Sequence, residues 1–269
     1  MKGFIKWTQN KIVLSTIALI MFSNCAFNKC NIPSFDEGAD VREAMKSTVK
    51  IYMKVTGTRK NIISISDAKP DGSEETMSWT GSGFIVRNNE EKQQSLIMSV
   101  AHVTNSEDMT LGADENGLYI FVVTKKELKV ETLDGEMCDA HQVIANVGQD
   151  LSAIVADCIA GNATDLADEL PPVGADVMVS GAALGYHPKG IFIVTEGKYM
   201  GIDGESKEEI ITLPSAPGHS GSGIFYKGKV IGLLSKRTVA YEHITICVSL
   251  ENAKNLLDTA EGLWELENY

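Results

Sequence analysis

Short apolar runs broken by turn residues follow one another along this chain, and helical spacing shows only near its end. Val49–Val55 alternates apolar and polar residues, as a half-buried strand does. Gly81–Val86 and Ser95–Val100 read as a strand pair. Leu118–Val123, Lys129–Leu133, Gln142–Val147 and Leu151–Ala156 continue the pattern. Ser66–Ser78 reads as a loop, with a strong turn signal at Lys69–Ser73. Glu169-Leu170-Pro171-Pro172 reads as a link between two halves. Beyond it come Val177–Gly181, Ile191–Thr195, Glu209–Leu213, Gly223–Tyr226, Lys229–Leu234 and Ile244–Leu250. Asn252–Leu257 has the apolar spacing of a terminal helix. Strands at this spacing, without helices between them, predict an all-β barrel or sandwich rather than alternating β/α units.

The 269 residues suit one large domain or two small halves with proper cores. The formal net charge of −12 argues against non-specific nucleic-acid binding, which needs basic patches. There is no Gly-rich phosphate loop and no H-E-x-x-H. The five cysteines show no metal-ligand spacing, so no metal and no cofactor are expected. At the N-terminus, Lys2, Lys6 and Lys11 precede an apolar run from Ile12 to Phe22. That is the order of a signal peptide, and the run is shorter than the ~20 residues a membrane span needs. Residues 1–26 are therefore expected to be a signal peptide or an N-terminal anchor, and the protein to be exported. Cys25 follows the apolar run as a lipidated cysteine would, so the segment or Cys25 offers a membrane attachment. Residues 27–46 read as a linker, and 259–269 as a C-terminal tail.

The chemistry is concentrated in Pro217-Gly218-His219-Ser220-Gly221-Ser222-Gly223. Small residues around a serine let the backbone turn tightly and bring its N–H groups close to a substrate carbonyl. Upstream, a strand-like run ends in Ser99-Val100-Ala101-His102-Val103, and Asp150 heads the run Leu151–Val155. The order along the chain is His, Asp, Ser. In α/β-hydrolases the serine comes first, so that fold is disfavoured. Ser220 fits a nucleophile, His102 its general base, and Asp150 the group that orients the imidazole.

These contexts resemble the chymotrypsin-like serine peptidases. Gly81-Ser82-Gly83-Phe84-Ile85-Val86, Ser99–Val103, Asp150-Leu151-Ser152-Ala153, Gly185-Tyr186-His187-Pro188, Val194-Thr195-Glu196-Gly197, Pro217–Gly223 and Val230-Ile231-Gly232-Leu233 resemble segments of Deg/HtrA-type protease domains and bacterial glutamyl endopeptidases. The resemblance implies two six-stranded antiparallel β-barrels over residues 47–258, about 47–168 and 173–250, with the active site between them. It implies an oxyanion hole from the N–H groups of Gly218 and Ser220. It points to Ser215, Leu234, Ser235 and Lys236 as candidates for the substrate pocket. Ser235 falls where the family often has a serine near the buried aspartate. Leu234 stands where the glutamyl endopeptidases carry a histidine, which weakens a glutamate preference. Gly223 replaces a usual proline and His219 a usual Asn or Asp. His141, His187, His219 and His243 are expected at surfaces or turns, His219 beside the nucleophile in the cleft. The expected function is an exported serine endopeptidase acting on protein or peptide substrates; the alternative is a catalytically idle peptidase-fold binding protein.

Cys138 and Cys158 lie equally far from Gly148, the tip of a predicted hairpin. Facing arms can bring such side chains within bonding reach, giving either a disulfide or two free thiols.

Overall fold

The computed structural model describes residues 37–64, 72–114, 117–237 and 243–266. The N-terminal apolar segment, Cys25, the first part of the expected linker and most of the Lys69–Ser73 turn lie outside these residues.

The described residues are organised mainly as antiparallel strands, as expected. In the first half they are β1 (Thr48–Ser64), β2 (Glu74–Asn89), β3 (Gln94–Ser99), β4 (Met109–Asp114), β5 (Gly117–Glu131), β6 (Met137–Asn146) and β7 (Leu151–Ala156). The order β1-β2-β3-β7-β6-β5 closes through β5 onto β1, making a six-stranded barrel, and β4 adds to the outer edge of β5. The second half carries β8 (Asp176–Gly181), β9 (Ile193–Ile202), β10 (Glu209–Thr212), β11 (Gly223–Tyr226), β12 (Lys229–Arg237) and β13 (Ile244–Ser249). These close in the order β10-β13-β12-β11-β8-β9.

Two of the three apolar clusters among the described residues follow from this closure. Leu96, Ile97, Met98 and Leu151–Ala156 are buried along their whole length, because β3 and β7 have barrel interior on one face and packed chain on the other. The outer face of the second barrel contributes Phe225, Val230 and Leu233 to that cluster, joining the two barrels through it. The interior of the second barrel holds Val177, Val179, Ile211, Ile224, Ile231 and Leu234. Each such side chain contributes roughly 1.5–3 kcal/mol by leaving water.

Three helices flank the barrels among the described residues: α1 (Glu37–Ser47), α2 (Ala101–Thr104) and α3 (Leu250–Leu266). α1 occupies ten residues that read as linker. Its carbonyls at Glu43 and Ala44 are capped by the hydroxyls of Ser47 and Thr48. α3 runs well past the expected Leu257, because Ala253, Leu256, Leu257, Ala260 and Trp264 keep one face on the apolar cluster that the two barrels share. Its first residue is held from within the second barrel, where the fully buried Glu209 accepts the Leu250 N–H through Oε1 at 2.8 Å.

The first barrel also departs from the expected strand lengths. β1 and β2 pair from Thr48↔Phe84 out to Thr58↔Glu74, so part of the expected loop is strand. β5 joins two runs that read as separate strands, and β4 pairs with β5 alone. These stretches carry exposed threonines, lysines and glutamates, and β4 exposes Met109 and Leu111. On β1 the inward positions beyond the small cluster of Met53, Val55 and Phe121 are Gly57 and Arg59, so the apolar alternation by which strands are recognised is weak there.

Candidate active site

His102 sits in the single turn of α2, directly after β3. Asp150 closes the link between β6 and β7, in the left-handed conformation (φ 55°) that Asp tolerates better than most residues. The Asn146 side chain accepts the Gln149 N–H at 3.1 Å and so sets the turn that delivers Asp150. Its carboxylate reaches the imidazole: Oδ2 lies 2.9 Å and Oδ1 3.0 Å from His102 Nδ1. Oδ1 also accepts the backbone N–H of His102 at 3.0 Å, and Oδ2 the hydroxyl of Ser235 at 2.6 Å. Burial pushes this carboxyl up, but the donors on His102 and Ser235 outweigh it and hold it below the ordinary aspartate value. An ionised acceptor at Nδ1 fixes the tautomer with the proton there, leaving Nε2 as the acceptor.

Ser220 lies on the other barrel, in the connection that leads into β11. Two glycines make this turn. Gly218 (φ +96°) would place a Cβ 2.3 Å from the Ala182 carbonyl oxygen, and Gly221 (φ +87°) one 2.1 Å from that of Ser82. The N–H groups of the turn divide into two sets. His219 N–H donates to Ala216 O, Gly221 N–H to Leu234 O and Ser222 N–H to His219 O, at 2.8–3.1 Å. Those of Gly218 and Ser220 donate to no described backbone carbonyl. They are the pair expected to receive an oxyanion.

A cleft of about 850 Å³ opens beside His102 and Asp150, lined also by Trp79, Gln149, Ser235 and Lys236. Its wall on the first barrel is apolar, from Val55, Met77, Trp79, Phe121 and Val123. Trp79 is fixed by its indole N–H, which donates to the Val103 carbonyl at 2.8 Å. Nothing in the sequence pointed to Trp79, which follows directly on the stretch read as loop.

The candidate pocket residues separate. Lys236 lines the cleft and lies 3.4 Å from Glu208. Ser235 lines it too, but its hydroxyl is committed to Asp150. Leu234 is not a pocket residue: it is 3% exposed and packs inside the second barrel opposite Cys247. The irregular pairing of β12 with β11 at Val230–Gly232 leaves Ile231 and Leu234 on the same, inward side. Ser215 is half-buried and accepts a hydrogen bond from the Thr245 hydroxyl at 3.1 Å, outside the lining of this cleft. His219 is neither at the surface nor in the cleft. It is 2% exposed, its Nδ1 accepts the Ala216 N–H at 3.3 Å, and burial pushes its pKa down to about 4. Cys138, on β6, and Cys158, just past β7, meet at bonding distance with their Cα atoms 6.0 Å apart.

Residues 81–233 match the family model of the trypsin-like peptidase domain. No curated protein matches the sequence. Among solved structures, the active form of the Rv3671c protease from M. tuberculosis is 17% identical with a TM-score of 0.57, over 84% of this chain and 86% of that one. The serine endoprotease from Yersinia pestis is 16% identical with a TM-score of 0.57, over 84% of this chain and 66% of that one. An inactive serine-to-alanine mutant of Rv3671c from M. tuberculosis H37Rv is 16% identical with a TM-score of 0.56, over 86% and 94%. At such identities the likeness is one of fold. The family match covers more than half of the chain and runs from the first barrel into the second: the chain belongs to the trypsin-like peptidase family, and is a serine-type peptidase.

Proposed function

We propose that this peptidase is an exported endopeptidase that hydrolyses peptide bonds through His102, Asp150 and Ser220. The observation that carries the reading is the Asp150 carboxylate, gripped by two donors of His102 and one of Ser235. So held, it keeps the imidazole in one orientation and stabilises its charged form. His102 Nε2 takes the proton of Ser220 Oγ as that oxygen bonds to the substrate carbonyl carbon. The carbonyl electrons move onto its oxygen, which the free N–H groups of Gly218 and Ser220 receive. The C–N bond then breaks, His102 gives its proton to the leaving amine, and an ester on Ser220 remains. Water repeats the sequence: its proton goes to His102, its oxygen to the acyl carbon, and Ser220 is released with the proton back on Oγ. No hydrogen bond joins Ser220 Oγ to His102 among the described residues. Such contacts commonly tighten only when substrate binds.

Export is supported by the charged-then-apolar order of residues 1–26 and by the meeting of Cys138 and Cys158, since a disulfide persists in an oxidising compartment. The same segment, or Cys25, would attach the protein to a membrane. The deciding experiment is labelling with an alkyl fluorophosphonate. The native chain should label and Ser220→Ala should not. A folded native chain that stays unlabelled while a control peptidase reacts would leave a peptidase-fold binding protein instead.

A further inference from the structure

Lys50 on β1 and Ser82 on β2 face each other directly in the first barrel. Lys50 is 7% exposed and Ser82 is fully buried. Both reach across to the second barrel. Ser82 Oγ donates to the Gly218 carbonyl at 2.7 Å and accepts the Ala182 N–H at 2.9 Å. Its own N–H donates to the Ser220 carbonyl at 2.8 Å. Lys50 Nζ donates to the Gly185 carbonyl at 2.7 Å. Its charge is met by Glu131, 3.7 Å away, which also accepts the Tyr52 hydroxyl. Burying a lysine is costly unless its charge and donors are used; here Glu131 meets the charge, and the short hydrogen bond goes to one carbonyl of one loop.

That loop, 182–185, underlies the turn that carries Ser220. Leu184 donates its N–H to the Pro217 carbonyl. A Cβ on Gly218 would lie 3.1 Å from the backbone nitrogens of both Leu184 and Gly185. Leu184 holds φ +55° while its side chain is 77% exposed, so its bonds to neighbours, and not burial, keep this conformation. In a trans peptide the C=O and N–H point opposite ways, so fixing one aims the other. Leu184 on Pro217 O therefore aims the Gly218 N–H. Ser222 N–H on His219 O aims that of Ser220, while Ser82 pins the carbonyls of Gly218 and Ser220 between and beyond them.

We propose that Lys50 and Ser82 are positioning residues: a brace from the first barrel that keeps the Gly218 and Ser220 N–H groups converging on one point. It rests on the peptidase reading above, and makes oxyanion stabilisation depend on the docking of the two barrels, separately from the triad. The experiment follows alkyl fluorophosphonate labelling against pH in Lys50→Met, Lys50→Arg and Ser82→Ala, with folding checked by near-UV circular dichroism. The phosphoryl oxygen of the probe takes the place of the oxyanion. Lys50→Met and Ser82→Ala should each lower the plateau rate by roughly 10²-fold, the effect of losing one oxyanion donor. The pH midpoint should stay with the native chain, because the base is untouched. On fluorescent casein, kcat should fall while KM holds, and Lys50→Arg should recover most of the rate. A folded Lys50→Met labelling within about threefold of the native chain overturns the brace; if that variant does not fold, Ser82→Ala decides by the same criterion. A midpoint that moves with the rate overturns it too, placing the effect on His102. A native chain that does not label removes the peptidase reading, and the brace with it.

Discussion

Glu209→Gln separates two buried titrations that oppose each other in the native chain. Glu209 is fully buried and its Oε2 has no hydrogen-bond partner among the described residues, so burial raises its pKa from 4.5 to about 7, against the Leu250 N–H, which lowers it. Folding therefore takes up a proton on Glu209 between these values, and stability falls as pH rises across that window. His219 runs the other way: burial lowers its pKa from 6.5 to about 4. Folding releases its proton there, so stability rises with pH across that window. Each window is about 2.5 pH units wide, and at 1.36 kcal/mol per unit each is worth about 3 kcal/mol. They overlap between pH 4.5 and 6.5, where the two slopes cancel. Tyr199 and Cys247, whose pKa values burial and Glu209 push upward, stay neutral throughout. In Glu209→Gln the amide keeps an acceptor for Leu250 and carries no charge. Urea unfolding with Cys138 and Cys158 left as purified, from pH 4 to 8, should then rise by about 3 kcal/mol up to pH 6.5 and stay level above it. At pH 8 the variant should be more stable than the native chain. A variant whose profile simply parallels the native one would refute the titration of Glu209 in the fold.

Asp150→Asn should keep the fold and lower turnover by about 10⁴-fold, because an amide can stabilise the wrong imidazole tautomer; steady-state kinetics on a peptide substrate checks it, and near-native activity would remove Asp150 from the site. Leu234→Ala should cost about 2–5 kcal/mol in urea unfolding, as a core truncation does, and leave the cleavage preference of the enzyme unchanged. A shift in preference without loss of stability would return Leu234 to the pocket. Cys138→Ser should cost roughly 3 kcal/mol if the bond closes a loop with its sequence separation of 20. Recovery of both cysteines as alkylated thiols from the native chain would rule the bond out.

Much of the fold is written in local sequence. The close succession of short strands, with Gly and Pro between them, excludes a β/α architecture, because local alternation records which face of a strand meets a core. The contexts that single out His102, Asp150 and Ser220 are local for a different reason: each has a backbone geometry written in neighbouring residues, such as the glycines at 218 and 221. Stretches whose inward positions are not a run of apolar residues left no such trace, as with Gly57 and Arg59 on β1, hence the unrecognised β4 and the outer halves of β1, β2 and β5. α1 escaped because its residues are mostly polar, with Ala44 alone reaching the main apolar cluster. Leu234 and Ser235 show where local reading stops. Both stand at the end of one strand, but only closure of the second barrel decides that one side chain enters its interior and the other meets Asp150 from the first. The same holds for Lys50 and Ser82. In sequence they are a polar position of a half-buried strand and the middle of a Gly-Ser-Gly; their carbonyl partners lie 135 and 136 residues away. Periodicity carries the direction of a side chain within its own strand, and only the docking of two barrels determines what waits at its end.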